Sequence, residues 1–330
     1  HEEVESARSR LVYQELFILQ LALAVRRHRI RSQNVSPTLE LTPKIKARIT
    51  GRQPFELTES QQIAFDEIAS DMGQSFPMNR LLHGEVGSGK TAVALCGMLL
   101  AIAHGNQATL MAPTEILARQ HFQTLSKLLQ NSRVRTALWT GSLKPAERKL
   151  VSQQIAAGEI DLVIGTQAVV ASKLEFHQLG LVVIDEQHKF GVEQRELLRQ
   201  TGHDPHYLVM TATPIPRTIS MTLFGDLDVS VLHRNSGLGQ KVSTYLGQEE
   251  NREQWWEFVR KKLREGRQGF VVAPLVDADD DSELSSAERM FETLSNGPLE
   301  EFRLDVLHGR QSTEQKEQAM KDFVSGNTQA

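Results

Sequence analysis

Five short runs of this chain are strongly apolar without the in–out alternation of a half-exposed strand: RLLH at 80–83, ATLMA at 108–112, DLVIG at 161–165, LVVID at 181–185 and YLVMT at 207–211. A run that does not alternate is covered on both faces. Helical stretches separate the five runs. Covered strands alternating with helices predict a parallel α/β sheet with helices on both sides, spanning 55–232. In such a sheet ligands sit at the carboxyl ends of the strands, so chemistry is to be sought just past each run.

The flanks read differently. From Val4 to about Arg31 one helical pattern places Ala7, Leu11, Leu16, Leu19, Leu23 and Val25 among its apolar positions, with no Gly or Pro. It closes on RRHRIR at 26–31. Those cations suit a helix C-terminus or a DNA backbone. Residues 32–54 are polar, carry Pro37, Pro43 and Pro54, and read as a connector. After a glycine-rich polar stretch around 233–241, a second strand–helix alternation is expected: strands at 269–275 and 303–309, each followed by a helix. DADDDSE at 277–283 reads as a solvated loop. The division is therefore 1–54 helix and connector, 55–232 first domain, 233–330 a partial second domain, which agrees with ~100–200 residues per domain for 330 residues. The net charge of −4 leaves any nucleic-acid contact to a local face. A single cysteine, Cys96, excludes a disulfide framework and a multi-cysteine zinc site, and makes a reducing cytoplasm the default. No apolar run approaches the ~20 residues that span a bilayer, so no membrane partner is expected.

The first run leads straight into GEVGSGKT, Gly84, Glu85, Val86, Gly87, Ser88, Gly89, Lys90 and Thr91. The pattern G-x-x-x-x-G-K-[ST] between a strand and a helix is a phosphate cradle. Its glycines let successive N–H groups turn inward, the helix adds its positive end, Lys90 meets the β- and γ-phosphates, and Thr91 offers a hydroxyl to Mg²⁺. The run at 181–185 ends in Asp185, followed by Glu186. Mg²⁺ takes one or two carboxylates together with water and phosphate oxygens, a place that suits Asp185. Glu186 can orient or deprotonate an attacking water, which favours hydrolysis over plain nucleotide binding.

With FELTESQ (55–61), APTEILARQH (112–121), LWTGS (138–142), VIGTQAVV (163–170), VIDEQHKFGVEQR (183–195), MTATPIPRT (210–218), GDLDVSV (225–231) and VLHGR (306–310) added, the chain resembles the motor core of the RecG family, branched-DNA helicases of superfamily 2. The resemblance covers nearly the whole chain. It implies a RecA-like P-loop NTPase fold with a partial second RecA-like domain, use of ATP and Mg²⁺, a monomeric bacterial cytoplasmic enzyme, and sequence-independent binding of double-stranded and branched DNA. Gln61 would read the adenine edge, and Phe55 would pack on the base or in the core. Gln187 and His188, with Thr211, Ala212 and Thr213, would couple hydrolysis to motion. Thr114, Arg119, Gly141, Ser142, Thr166, Gln167 and Arg310 would line the DNA. The transcription-repair coupling factor shares TATPIPRT, but an acidic residue would be expected at the place of Gln187, and it lacks the N-terminal helix. Gln167 stands where the family usually has His, Glu85 where it has Asp, His83 where Gln is common and Lys189 where Arg is common. On the same resemblance, the branch-recognising domain would precede Ala7, and motifs bearing the arginines that reach the γ-phosphate would follow SGNTQA.

Overall fold

A computed structural model of the chain describes residues 2–172, 174–185, 204–212, 227–233, 243–273, 286–309 and 311–330. The chain divides into two units, residues 1–239 and 240–330.

The first unit is built on a seven-stranded sheet. Its strands are β1 (Asn79–Gly84), β2 (Gln107–Met111), β3 (Thr136–Trp139), β4 (Leu162–Gly165), β5 (Leu179–Asp185), β6 (His206–Thr211) and β7 (Asp228–Leu232), in the order β3-β4-β2-β5-β6-β1-β7. Every pairing is parallel. All five apolar runs are strands, and their lack of alternation has a direct cause. In β5, Leu181 and Val183 enter one apolar cluster while Val182 and Ile184 enter another on the opposite face. In β6 Leu208 and Met210 divide from Tyr207 and Val209 in the same way. The helices α3 (Glu59–Met72), α4 (Lys90–Ala103) and α5 (Glu115–Leu129) bury Phe65, Met98 and Leu125 in the first cluster. On the other face, α6 (Pro145–Ala156) and the short α7 (Ala168–Ala171) bury Ile155 and Val169.

The two strands that apolar runs do not announce, β3 and β7, lie at the two sheet edges. Each has an inner and an outer face, so each alternates, with Ala137 and Trp139 buried in β3 and Ser230 and Leu232 in β7. Arg80 in β1 ties the β7 edge to α3: it donates to Asp71 at 2.8 Å, Glu67 at 3.1 Å and Ser230 Oγ at 2.8 Å.

The N-terminal helix forms as expected, as α1 (Glu2–Gln33). Its basic end does something the sequence reading did not include. Arg27 donates to the Leu227 carbonyl at 2.8 Å, Arg31 pairs with Asp228 at 3.0 Å, and Arg31 lies over the Phe76 ring. These two arginines clasp the β7 edge.

The connector is also more structured than its prolines suggest. Pro43 opens the helix α2 (Pro43–Thr50), with Thr42 accepting the Ile45 N–H as its cap, because proline suits a first helical turn. Leu39 and Ile49 are buried in the main core. Ser36 and Pro37 meet His206, whose Nδ1 accepts the Met78 N–H at 3.0 Å while Nε2 donates to the Pro37 carbonyl at 2.8 Å. Burial lowers the His206 pKa to about 4.

In the second unit, helices Arg252–Arg264, Ser286–Ser295 and Thr313–Val324 are present, and Leu263, Leu294 and Leu299 form its core. The strands expected at 269–275 and 303–309 are not found among the described residues, 269–273 and 303–309, which form no ladder. Gly269 N–H donates to the Gln329 carbonyl, Gln329 N–H to Arg303 and Asp305 N–H to Ala330. These scattered bonds do not make regular strands. Residues 277–283 lie outside the described residues. No helix among those described is long and apolar enough to cross a membrane.

Candidate functional site

β1 ends at Gly84 and α4 starts at Lys90, so the phosphate-cradle sequence is a loop between strand and helix. Gly87 (φ 82°) and Gly89 (φ 87°) take the left-handed conformation that side chains disfavour. A Cβ on Gly84 would stand 2.5 Å from Ser88 Oγ and 2.9 Å from Leu232 Cβ, and one on Gly89 would run into the Gln61 amide. Threonines cap α2, α3 and α5 through their side chains, whereas Gly89 begins α4 with no side-chain cap. The first turn of α4 therefore keeps its positive end open to an anion. Ser88 Oγ is buried without a hydrogen-bond partner. Lys90 Nζ folds back onto the carbonyls of Gly84 at 2.7 Å and Glu85 at 3.0 Å. An uncapped helix end, an orphaned hydroxyl and an ammonium at the loop mouth fit a phosphate group. Glu85 and Val86 are exposed at the rim.

Gln61 is placed by local chemistry. It completes a capping box with Thr58, accepting the Thr58 N–H at 3.0 Å, and its Nε2 donates to the Ser88 carbonyl at 2.9 Å. Its amide thus braces the loop as well as lying beside it. Phe55 is 51% exposed, which removes the core reading of that ring.

Asp185 ends β5, and β6 separates β5 from β1. The register sets Asp185 level with Met210, and Met210 level with Leu82, two residues before the loop. Two strand spacings amount to about 10 Å. That gap suits a carboxylate that reaches a phosphate-bound cation through water. Thr211 and Ala212 stand at the intervening strand end, Thr211 paired with His83. Among the described residues no group of three or more His, Cys, Asp or Glu could hold a metal ion. Thr91 and Asp185 therefore fit Mg²⁺ only in company with phosphate oxygens and water. One neighbour was not foreseen: His121 Nε2 lies 2.9 Å from Asp185 Oδ2.

Apart from Arg310, the residues expected to line DNA follow β2, β3 and β4, which are adjacent in the sheet. Arg119 Nη2 lies 3.0 Å from both Glu115 Oε1 and Ser142 Oγ, and Ser142 also donates to Glu115. Burial raises the Glu115 pKa, but hydrogen bonds from Ser142, Arg119 and Thr140 outweigh it and hold the carboxyl below its ordinary value. Thr114 caps α5, accepting the Leu117 N–H at 3.3 Å. Thr166 Oγ1 accepts the Ala168 N–H, Gln167 is the residue that precedes α7, and Gly141 has open space around it. Arg119 and Ser142 are thus brought together with Glu115, whose acid the sequence reading passed over. Glu186, Gln187, His188, Thr213 and Arg310 lie outside the described residues.

A strand–cradle–helix unit with an acid two strands away is an arrangement many nucleotide-binding proteins share, and comparison narrows it. The family model for DEAD/DEAH box helicases matches residues 58–222, half of the chain. The chain belongs to the DEAD/DEAH box helicase family. It is 39% identical to the ATP-dependent DNA helicase RecG of Bacillus subtilis over 328 residues, covering 99% of this chain and 48% of that protein. It is 40% identical to RecG of Thermotoga maritima over 324 residues, covering 98% of this chain and 41% of that one. The chain spans about half the length of the curated relatives it matches. A solved structure of RecG bound to a three-way DNA junction is similar with a TM-score of 0.79 at 38% identity, covering 99% of this chain and 42% of that one. The helicase MrfA bound to DNA, at 18% identity and a TM-score of 0.61 over 90% of this chain and 45% of that one, shares the fold.

Proposed function

We propose that this chain is the ATP-hydrolysing motor of a DNA translocase that remodels branched DNA. The observation that carries the reading is the cradle: an uncapped α4 behind Gly84–Gly89 with Lys90 at its mouth, in a chain 38% identical to a RecG bound to a DNA junction. Lys90 would leave the loop carbonyls for the β- and γ-phosphates, an exchange of weak acceptors for charged ones. Thr91 and Asp185 would hold Mg²⁺, which when bound neutralises charge developing on the transferred phosphoryl group. Glu186 would take the proton of the attacking water. Thr211 and Ala212, beside both the loop and Asp185, would report loss of the γ-phosphate together with Gln187, His188 and Thr213. Arg119 and Ser142, with Thr114, Gly141, Thr166, Gln167 and Arg310, would hold DNA phosphates. Such contacts carry no base information, so binding would be sequence-independent and steeply salt-dependent.

The test is steady-state ATP turnover by the full-length protein that contains this chain. Forked DNA is expected to stimulate it well above linear duplex of equal length, and Lys90→Ala to remove it. Equal stimulation by both DNAs would refute the branch-specific part, and turnover that survives Lys90→Ala would refute the cradle.

A further inference from the structure

We propose that His121 is a positioning residue for Asp185, fixing one carboxylate oxygen so that the other faces the magnesium ion of bound ATP–Mg²⁺; this rests on the nucleotide reading above. The argument begins on α5. Ala118, Leu125 and Leu129 are the buried residues of that helix. His121 falls three residues after Ala118 and four before Leu125, on the same face. Leucine would be the ordinary occupant. A polar ring placed there must find a partner, because an unmatched polar group away from water is costly. Its partner is Asp185, 64 residues distant in sequence and 2.9 Å distant in space.

The sheet explains the meeting. α5 follows β2, β2 pairs with β5, and Met111 is level with Ile184, the residue before Asp185. A carboxylate can only accept, so the His121 Nε2–H donates and Oδ2 is the oxygen it holds. The two side chains are 14% and 15% exposed, so little water competes for that bond. Carboxylates that hold metals are commonly oriented by such a donor, and loss of the donor typically costs 10–100-fold in metal affinity. A histidine serving only as packing would be replaceable by any apolar side chain of similar volume. A positioning histidine would not.

The experiment titrates magnesium against binding of a fluorescent, non-hydrolysable ATP analogue to the full-length protein. For His121→Leu the half-saturating magnesium concentration should rise about tenfold, while the thermal midpoint without nucleotide falls only modestly, because Asp185, 15% exposed, loses its donor. Should leucine unfold the domain, His121→Met carries the same expectation. His121→Gln, whose amide can donate to Asp185, should recover most of the shift. Leucine or methionine variants that titrate like the wild type overturn the proposal, as does a glutamine variant as weak as they are. Wild-type protein that binds no analogue at any magnesium concentration overturns the nucleotide reading, and the proposal with it.

Discussion

His206 is buried at the joint between the connector and the sheet, and its state can be read from its hydrogen bonds. Nδ1 accepts the Met78 N–H, so it can take a proton only by breaking that bond, and burial lowers its pKa from 6.5 to about 4. In the unfolded chain the ring titrates at its ordinary value. Between pH 6.5 and 4 the unfolded state therefore binds more protons than the folded state, and stability falls as pH falls through that window. Full traverse of the window corresponds to about 3 kcal/mol, and the step from pH 7.5 to pH 5 to about 2 kcal/mol. Urea unfolding at both pH values, monitored by circular dichroism, measures the total. His206→Asn isolates the contribution, because asparagine can still accept from Met78 and has no charge to gain. The variant should be less stable than the parent at pH 7.5, and the difference should shrink by roughly 2 kcal/mol at pH 5. A difference that stays constant between the two pH values would refute the assignment of a neutral, proton-refusing His206.

Lys90→Ala should abolish ATP–Mg²⁺ binding by calorimetry, since no other cation in the loop can replace its charge; unchanged affinity would contradict the cradle. Glu186→Gln keeps shape and loses the base, so nucleotide should still bind while turnover of the full-length protein falls on the order of 10²–10⁴-fold, and a fall below tenfold would remove Glu186 from catalysis. Gly89→Ala puts a methyl group where the Gln61 amide stands and a side chain at φ 87°; equilibrium unfolding should register a loss of roughly 1–2 kcal/mol, with nucleotide affinity down as well. Arg119→Ala should weaken every DNA alike and lower the slope of log affinity against log salt by about one; a selective loss on one sequence would argue for base contact.

What the sequence discloses and what it withholds follow from where each residue's partner lies. β5 and β6 are apolar on both faces because clusters lie on both sides, so composition alone marks them. β3 and β7 have one open face each, and short alternating runs such as TALW resemble many loops. The cradle is legible because its residues are consecutive. The partnership of His121 with Asp185 is not, because it depends on β2 and β5 being neighbours, which no local pattern encodes. A trace was there all the same: a histidine on an otherwise apolar stripe of α5. Pro43 misled through its usual association with turns, although a proline after a capping threonine opens a helix equally well. The RRHRIR end of α1 reads as a helix terminus or a DNA contact, because Asp228, the partner of two of its arginines, lies about 200 residues away.

That clasp has a mechanical consequence. A helix of 32 residues is about 48 Å long, and Arg27 and Arg31, which bond Leu227 and Asp228, lie in its last two turns. They hold β7, which pairs with β1 along Arg80–Gly84 and sets Leu232 against the first glycine of the cradle. The helix is in effect an oar with its rowlock at the sheet edge. A tilt of about 5° at the arginines sweeps the far end through about 4 Å, given the ~1.5 Å rise per residue.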